Sequence, residues 1–234
     1  MMSPTMTDAK VTGLIAIVPA AGIGSRMGAD CPKQYLHLAG KTILEHTLER
    51  LLSHPAIAQV IVALAPHDRW FETLPVAADS RILRVEGGAE RAFSVLNALH
   101  AADSDWVLVH DAAPPCLTHG DLDALIAAAI SCGGAILGSR VRDTMKRSDA
   151  AGNIIGTVDR EQLWHALTPQ MFPARTLKRA LEEGLALGAT ITDEASAMER
   201  AGFTVRMVEG RADNIKVTRP EDLSLAGLFL SQQT

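Results

Sequence analysis

Aromatic side chains make up only 4% of this 234-residue chain. Its core therefore rests on Ala, Val, Leu and Ile, the residues that fill a parallel sheet buried on both faces. Cysteine is as scarce. Cys31, Cys116 and Cys132 form no CxxC pair, and that odd count argues against a disulfide framework and for reduced thiols in a cytoplasmic protein. The eight histidines contain no HExxH or similar zinc pattern. No apolar run approaches the roughly 20 residues of a membrane span, and the opening MMSPTMTDAK has no apolar stretch of the signal-peptide kind. Residues 1–12 read as a loose tail. Excess positive charge is also missing. The net charge of −5 argues against general nucleic-acid affinity, so an anionic small substrate would need a local cluster of cations.

What is present is a large apolar fraction, 47% of residues, enough for one large domain spanning 1–234. Apolar runs at 14–18, 59–65, 81–86, 106–110 and 135–140 alternate with amphipathic stretches at 43–52, 89–101 and 121–130. The helix over 43–52 has the clearest start, with Thr42 and Glu45 at capping-box spacing. Such alternation predicts an α/β fold with an open, mostly parallel, Rossmann-like sheet. Residues 140–168 interrupt it with a polar, charged stretch whose AAGN turn at 150–153 predicts an extended β-hairpin arm. A lone hairpin is marginal in water, so the arm needs another surface, such as a second copy of the chain. The last third returns to helix, strand and helix, with Thr218, Pro220 and Glu221 marking the final helix start.

The first strand runs into PAAGIGSRMGADCPKQ (19–34). An ordinary tight strand-to-helix turn would account for some of these glycines. A dinucleotide fingerprint fails by one residue, because Met27 holds the third glycine position and the second strand ends ALAP, with no acid for a ribose. A P-loop fails as well: Tyr35 stands where its first glycine belongs, which leaves Lys41 and Thr42 as a turn and a helix cap. A phosphate chain suits the loop. Gly22, Gly24 and Gly28 let backbone N–H groups approach anionic oxygens, and Arg26 and Lys33 add charge where negative charge builds during nucleotidyl transfer.

PAAGIGSRMG followed by PKQY resembles the signature loop of nucleotidyltransferases, and more closely that of the 2-C-methyl-D-erythritol 4-phosphate cytidylyltransferase family of the non-mevalonate isoprenoid pathway. The resemblance continues in order through GGAERAFSV (87–95), VLVHDAA (107–113), VRDTMKR (141–147), TVDREQLWHALTPQ (157–170), TITDEAS (190–196) and EGRADNIKVTRPEDL (209–223). It implies transfer of a cytidylyl group from CTP to a polyol phosphate, with Mg²⁺ as cofactor and a homodimer built through the 140–168 arm. It assigns nucleotide binding to Pro19, Ala20, Ala21, Gly22, Gly24, Gly88 and Ser94. Arg26, Lys33, Arg160 and Lys216 become catalytic, and Asp111 becomes the metal ligand. Asp111, Thr144, Arg160, Thr168, Thr192 and Lys216 become acceptor-site residues.

Each position also has a plainer reading. Asp111 would cap a turn, and Ser94 would be a helix-surface hydroxyl. Thr144 and Arg160 would lie on a solvated hairpin face. Thr192 would be the N-cap of a helix starting at Asp193, and Lys216 a strand lysine reaching to water. His110 reads as structural. Two departures from the family pattern stand out: Ala89 where an acid is usual, and Pro114 where an arginine is usual, which leaves the acceptor region one cation short. Two other functions fit the same residues, a cytidylyltransferase for another polyol phosphate such as ribitol 5-phosphate and a non-catalytic nucleotide-binding regulator.

Overall fold

The computed structural model describes residues 12–22 and 31–233. Nearly all of the 1–12 tail, together with Gly24, Arg26 and Gly28 of the glycine loop, lies outside them. In chain order the elements are β1 (Leu14–Pro19), β2 (His37–Leu38), β3 (Lys41–Thr42), α1 (Ile43–Leu52), β4 (Ile57–Leu64), β5 (Ile82–Glu86), α2 (Arg91–Ala101), β6 (Trp106–Val109), α3 (His119–Cys132) and β7 (Ala135–Arg140). They continue with β8 (Met145–Ser148), β9 (Ile154–Val158), β10 (Trp164–Pro173), α4 (Ala174–Ala186), α5 (Glu194–Arg200), β11 (Arg206–Glu209) and α6 (Pro220–Ser231). No helix among the described residues is long and apolar enough to cross a membrane.

Seven strands form one sheet in the order β11-β7-β10-β6-β1-β4-β5. The pairs β1–β4, β1–β6, β4–β5 and β7–β11 are parallel, and β10 runs antiparallel between β6 and β7. Alternation along each strand assigns side chains to the two faces. Leu14, Ala16 and Val18 pack with Leu44, Leu48, Leu122 and Leu125 of α1 and α3. Ile15 and Ile17 face Val95, Leu99, Leu177 and Leu181 of α2 and α4. The Thr42–Glu45 capping box starts α1 as the spacing predicts.

Three departures from expectation bear on the arm and the site. The return leg of the predicted arm joins the sheet from Trp164 onward, because Met171 and Phe172 are fully buried there and satisfy the backbones of β6 and β7. The free part of the arm is the β8–β9 pair, which forms its own two-stranded sheet. At α6, the carboxylate of Asp222 receives the backbone N–H groups of Thr218 and Arg219, so it takes the part expected of Glu221. At α5, Asp193 is the N-cap and the helix starts one residue later, so Thr192 is not the cap.

The chain leaves β1 toward β4 and β5, then returns to place β6 on the other side of β1. Loops after β1 and β6 therefore diverge, and open α/β sheets bind ligands in that crevice. A buried histidine fixes the β6 side. The Thr168 hydroxyl sits 2.9 Å from His110 Nδ1, and His110 Nε2 lies 3.1 Å from the Pro114 carbonyl oxygen. The carbonyl can only accept, so Nε2 carries the proton and Nδ1 accepts from Thr168. The same hydroxyl accepts the Asp111 N–H at 3.2 Å.

Burial pushes the His110 imidazole down to about 4, against an upward pull from Asp111. A base with a lowered folded pKa takes up its proton first in the unfolded state. Its stabilisation is complete above about pH 6.5 and is lost as pH falls toward 4, roughly 3 kcal/mol in all. Urea denaturation at pH 7, 5.5 and 4 should show this loss, and His110→Asn should flatten the wild-type slope in that window. An unchanged slope in the variant would disprove the neutral, buried histidine.

Candidate active site

The side of the crevice expected to take a nucleotide is built from backbone and short side chains. Pro19 ends β1 and Ala20, Ala21 and Gly22 follow it, and Gly88 and Ser94 flank the start of α2; together they line a cavity of about 200 Å³. Gln34 secures the first loop by donating to the carbonyls of Ala20 at 2.7 Å and Gly22 at 3.2 Å. The two loops touch so closely that a Cβ on Gly87 would sit 2.4 Å from that of Ala21, which only glycine avoids. Ser94 is buried and accepts the Gly88 N–H at 3.0 Å. Its hydroxyl holds the loop in shape and is not a surface group. Ala89, the position without an acid, lines the same cavity.

Lys33 opens a short 3₁₀ turn, Lys33–Tyr35, lines this cavity, and donates to the Val217 carbonyl at 2.9 Å. Arg26, its expected companion, lies outside the described residues, as does Gly24.

A second cavity of about 330 Å³ adjoins the first and is lined by Thr168, Thr192, Asn214 and Pro114 among others. Arg91, Asp111 and Lys216 line both cavities and form the wall between them. Thr168 reaches this wall because the pairing of β10 with β7 shifts between Ala166 and Gln170; such irregularities re-aim side chains. Thr144 and Arg160 line neither cavity. They sit on the arm, where the Arg160 guanidinium donates to the Arg142 carbonyl.

Asp111 carries a cation on each oxygen. Arg91 Nε reaches Oδ1 at 2.8 Å, and the Lys216 ammonium donates to Oδ2. Burial pushes this carboxyl upward, but the charges of Arg91 and then Lys216 outweigh it and hold Asp111 well below the usual carboxylate range. It is ionised throughout the working pH range. Arg91 also grips Glu194 with both Nη atoms, at 2.6 and 3.0 Å. Burial would lower its pKa, yet Glu194 and Asp111 raise it.

Neither Arg91 nor Glu194 stands out in the sequence as a site residue. A signal for Arg91 does exist. A cation in the first turn of a helix opposes the helix dipole, so it needs an anionic partner from elsewhere in the fold. Glu194 gives no such signal, because an acid in a first turn is what the dipole favours.

No group of three His, Cys, Asp or Glu among the described residues could hold a metal. An all-protein metal cage is therefore absent from them, and Asp111 is the carboxylate that both cavities share. One carboxylate completed by phosphate oxygens and water is the usual way Mg²⁺ is held, so the donor set fits.

Two adjoining cavities thus meet at one carboxylate, Asp111, with a cation on each of its oxygens. The family model described as 2-C-methyl-D-erythritol 4-phosphate cytidylyltransferase matches residues 14–232. A protein of that name from Aeromonas hydrophila is 87% identical over 228 residues, 97% of this chain and 93% of its own length. Its namesake from Shewanella amazonensis is 63% identical over 224 residues, 94% of each chain. Among solved structures, the Francisella tularensis 2-C-methyl-D-erythritol 4-phosphate cytidylyltransferase superposes with a TM-score of 0.81 at 34% identity, covering 93% of this chain and all of that one. A 4-diphosphocytidyl-2C-methyl-D-erythritol synthase superposes at 0.80 with 38% identity, covering 94% and 98%. The chain belongs to the 2-C-methyl-D-erythritol 4-phosphate cytidylyltransferase family.

Proposed function

We propose that this chain transfers the cytidylyl group of CTP to 2-C-methyl-D-erythritol 4-phosphate, forming 4-diphosphocytidyl-2-C-methyl-D-erythritol and pyrophosphate in isoprenoid precursor synthesis. The observation that carries this reading is the shared wall. Arg91, Asp111 and Lys216 line both the nucleotide cavity and its neighbour, so two bound phosphates would face one another there. A phosphate monoester oxygen attacks the α-phosphorus, the bond to the bridging β-oxygen breaks, and pyrophosphate leaves with the electron pair. The nucleophile is already anionic, so no general base is needed, and catalysis reduces to positioning and charge stabilisation.

Residues 19–22, Gly88 and Ser94 hold the base and sugar through backbone groups and short side chains. Lys33, with Arg26, stabilises charge on the phosphates. Mg²⁺, held by Asp111 and phosphate oxygens, would supply further charge neutralisation. Lys216 is the cation able to exchange Asp111 for the acceptor phosphate, since its side chain is 49% exposed. Thr192 and Thr168 lie on the acceptor side. Cys31, Cys116 and Cys132 form no disulfide, which supports a reducing compartment, the cytoplasm.

The arm supports a homodimer. Its Ile154 and Ile155 are 67% and 61% exposed, and a two-stranded ribbon lacks the core to stand alone. A second copy of the chain is the partner we assign, by symmetric exchange of arms, so that Thr144 and Arg160 of one chain serve the acceptor cavity of the other.

Three measurements check this reading. Pyrophosphate release should require CTP and be fastest with 2-C-methyl-D-erythritol 4-phosphate; a faster rate with ATP, or with ribitol 5-phosphate, would overturn the substrate assignment. Lys33→Ala should lower kcat on the order of 10²–10³-fold with a smaller change in KM for CTP, and turnover within a few-fold of normal would count against its role. Mixing Lys33→Ala chains with Arg160→Ala chains and allowing subunit exchange should restore about a quarter of normal activity, because half the dimers are then mixed and each has one intact site. No recovery despite verified mixed dimers would mean that each arm serves its own chain.

A further inference from the structure

We propose that Arg91 is a positioning residue for this transfer: held by Glu194, it fixes the Asp111 carboxylate at the wall between the nucleotide and acceptor cavities. The proposal rests on the role given to Asp111 above. Arg91 stands in the first turn of α2, where the helix dipole disfavours a cation. What outweighs that is a three-point grip: Nε on Asp111 at 2.8 Å, Nη1 and Nη2 on Glu194 at 2.6 and 3.0 Å. Only a guanidinium offers donors in this rigid fork; a lysine ammonium is a point charge on a flexible stem without that fixed geometry.

Beyond the favourable place of an acid in the first turn of α5, Glu194 has no other visible task. It is 1% exposed and lines neither cavity, so any effect it has on chemistry passes through Arg91. It is itself anchored. Gln170 on β10 accepts the Ala195 N–H at 2.9 Å and donates to Asp193 at 2.9 Å, pinning both residues that flank Glu194. Rigidity therefore passes from the sheet through Gln170 to the start of α5, and through Glu194 and Arg91 to Asp111. Lys216 provides the contrast. It touches Asp111 with a single ammonium on a half-exposed side chain, whereas the Arg91 side chain is 28% exposed. Of the two cations at Asp111, Arg91 is built to stay.

The test measures kcat, both KM values and thermal melting for Arg91→Lys, Glu194→Gln, the double variant, and Asp111→Asn. Arg91→Lys should lower kcat roughly ten- to a hundredfold, the usual cost of losing a residue that orients a ligand, with KM for CTP and acceptor within a few-fold. Glu194→Gln should lose kcat in the same way although it removes nothing from either cavity. The double variant should be little worse than Arg91→Lys, since both changes act through one placement of Asp111. A large rise in KM for CTP at normal kcat would make Arg91 a direct nucleotide contact and overturn the proposal. So would a lower melting temperature with normal kcat, the mark of a merely structural pair. If Arg91→Lys does not fold, Glu194→Gln decides alone, and wild-type kinetics there overturn the proposal. An inactive Asp111→Asn beside a normal Arg91→Lys refutes only the positioning role, whereas a fully active Asp111→Asn removes the reading of the site beneath it.

Discussion

A carboxylate with little access to water must be met by cations, and Asp111 sits at the end of β6 where the sheet opens into a crevice. Its charge dictates how the distant parts of the chain come together. Arg91 comes from the start of α2, and Lys216 from the segment before α6. That segment must cross the crevice to deliver Lys216, and it is tied down at three points. Val217 donates its N–H to the Ala113 carbonyl at 2.8 Å, Lys33 donates to the Val217 carbonyl at 2.9 Å, and Asn214 donates to the Thr168 carbonyl at 2.9 Å. Removing one partner from a buried ion pair typically costs about 3–5 kcal/mol, a large share of a domain's total stability. The charge that serves the chemistry thus also closes the fold over the site.

The local sum of charges explains how a protein of net charge −5 can take two polyanions. Arg91 and Lys216 are cancelled by Asp111 and Glu194. The wall between the cavities is neutral as it stands, and it does not repel phosphate. In the proposed reaction, attraction falls to Lys33 and Arg26, to backbone N–H groups, and to the divalent cation that would arrive with the nucleotide. This fits an active site whose charge is matched to the transition state, because strong attraction in the ground state alone would bind substrate without speeding its reaction.

Much of this was legible in the sequence where one local rule acted alone. The Thr42–Glu45 cap, the continuous apolar run of β1 and the β-α alternation each predict their element because propensity and packing agree. β10 is hidden because its first half carries His165 and Thr168, with Pro169 just after them, near a shift in register, so its polar content reads as arm; only the burial of Met171 and Phe172 shows a strand in the sheet. The site divides along the same line. Lys33, Asp111 and Lys216 are visible as charges in distinctive blocks. Arg91 and Glu194 acquire meaning only as a pair, and they lie far apart in sequence, so no periodicity or spacing links them. Pro114 is visible as a departure, and the structure gives its carbonyl a task, accepting from His110, that any residue there would perform. Its missing side-chain charge therefore leaves the β6 corner intact and bears only on the acceptor cavity that it lines.

A two-substrate transfer asks contradictory things of one carboxylate. It must hold still while the nucleotide is aligned, because positioning is most of the catalysis. In the proposed reaction it must also change partners when a second phosphate arrives. The two cations at Asp111 divide these demands by their tethers. Arg91 is planar, multiply bonded and backed by a buried acid that is itself pinned to the sheet. Lys216 is a compact ammonium on a flexible, half-exposed stem, joined to Asp111 by that one group. A lysine in the first position would let Asp111 drift, and an arginine in the second would bind it too firmly to let go. The choice of residue type at each position follows from which contact has to last through the reaction.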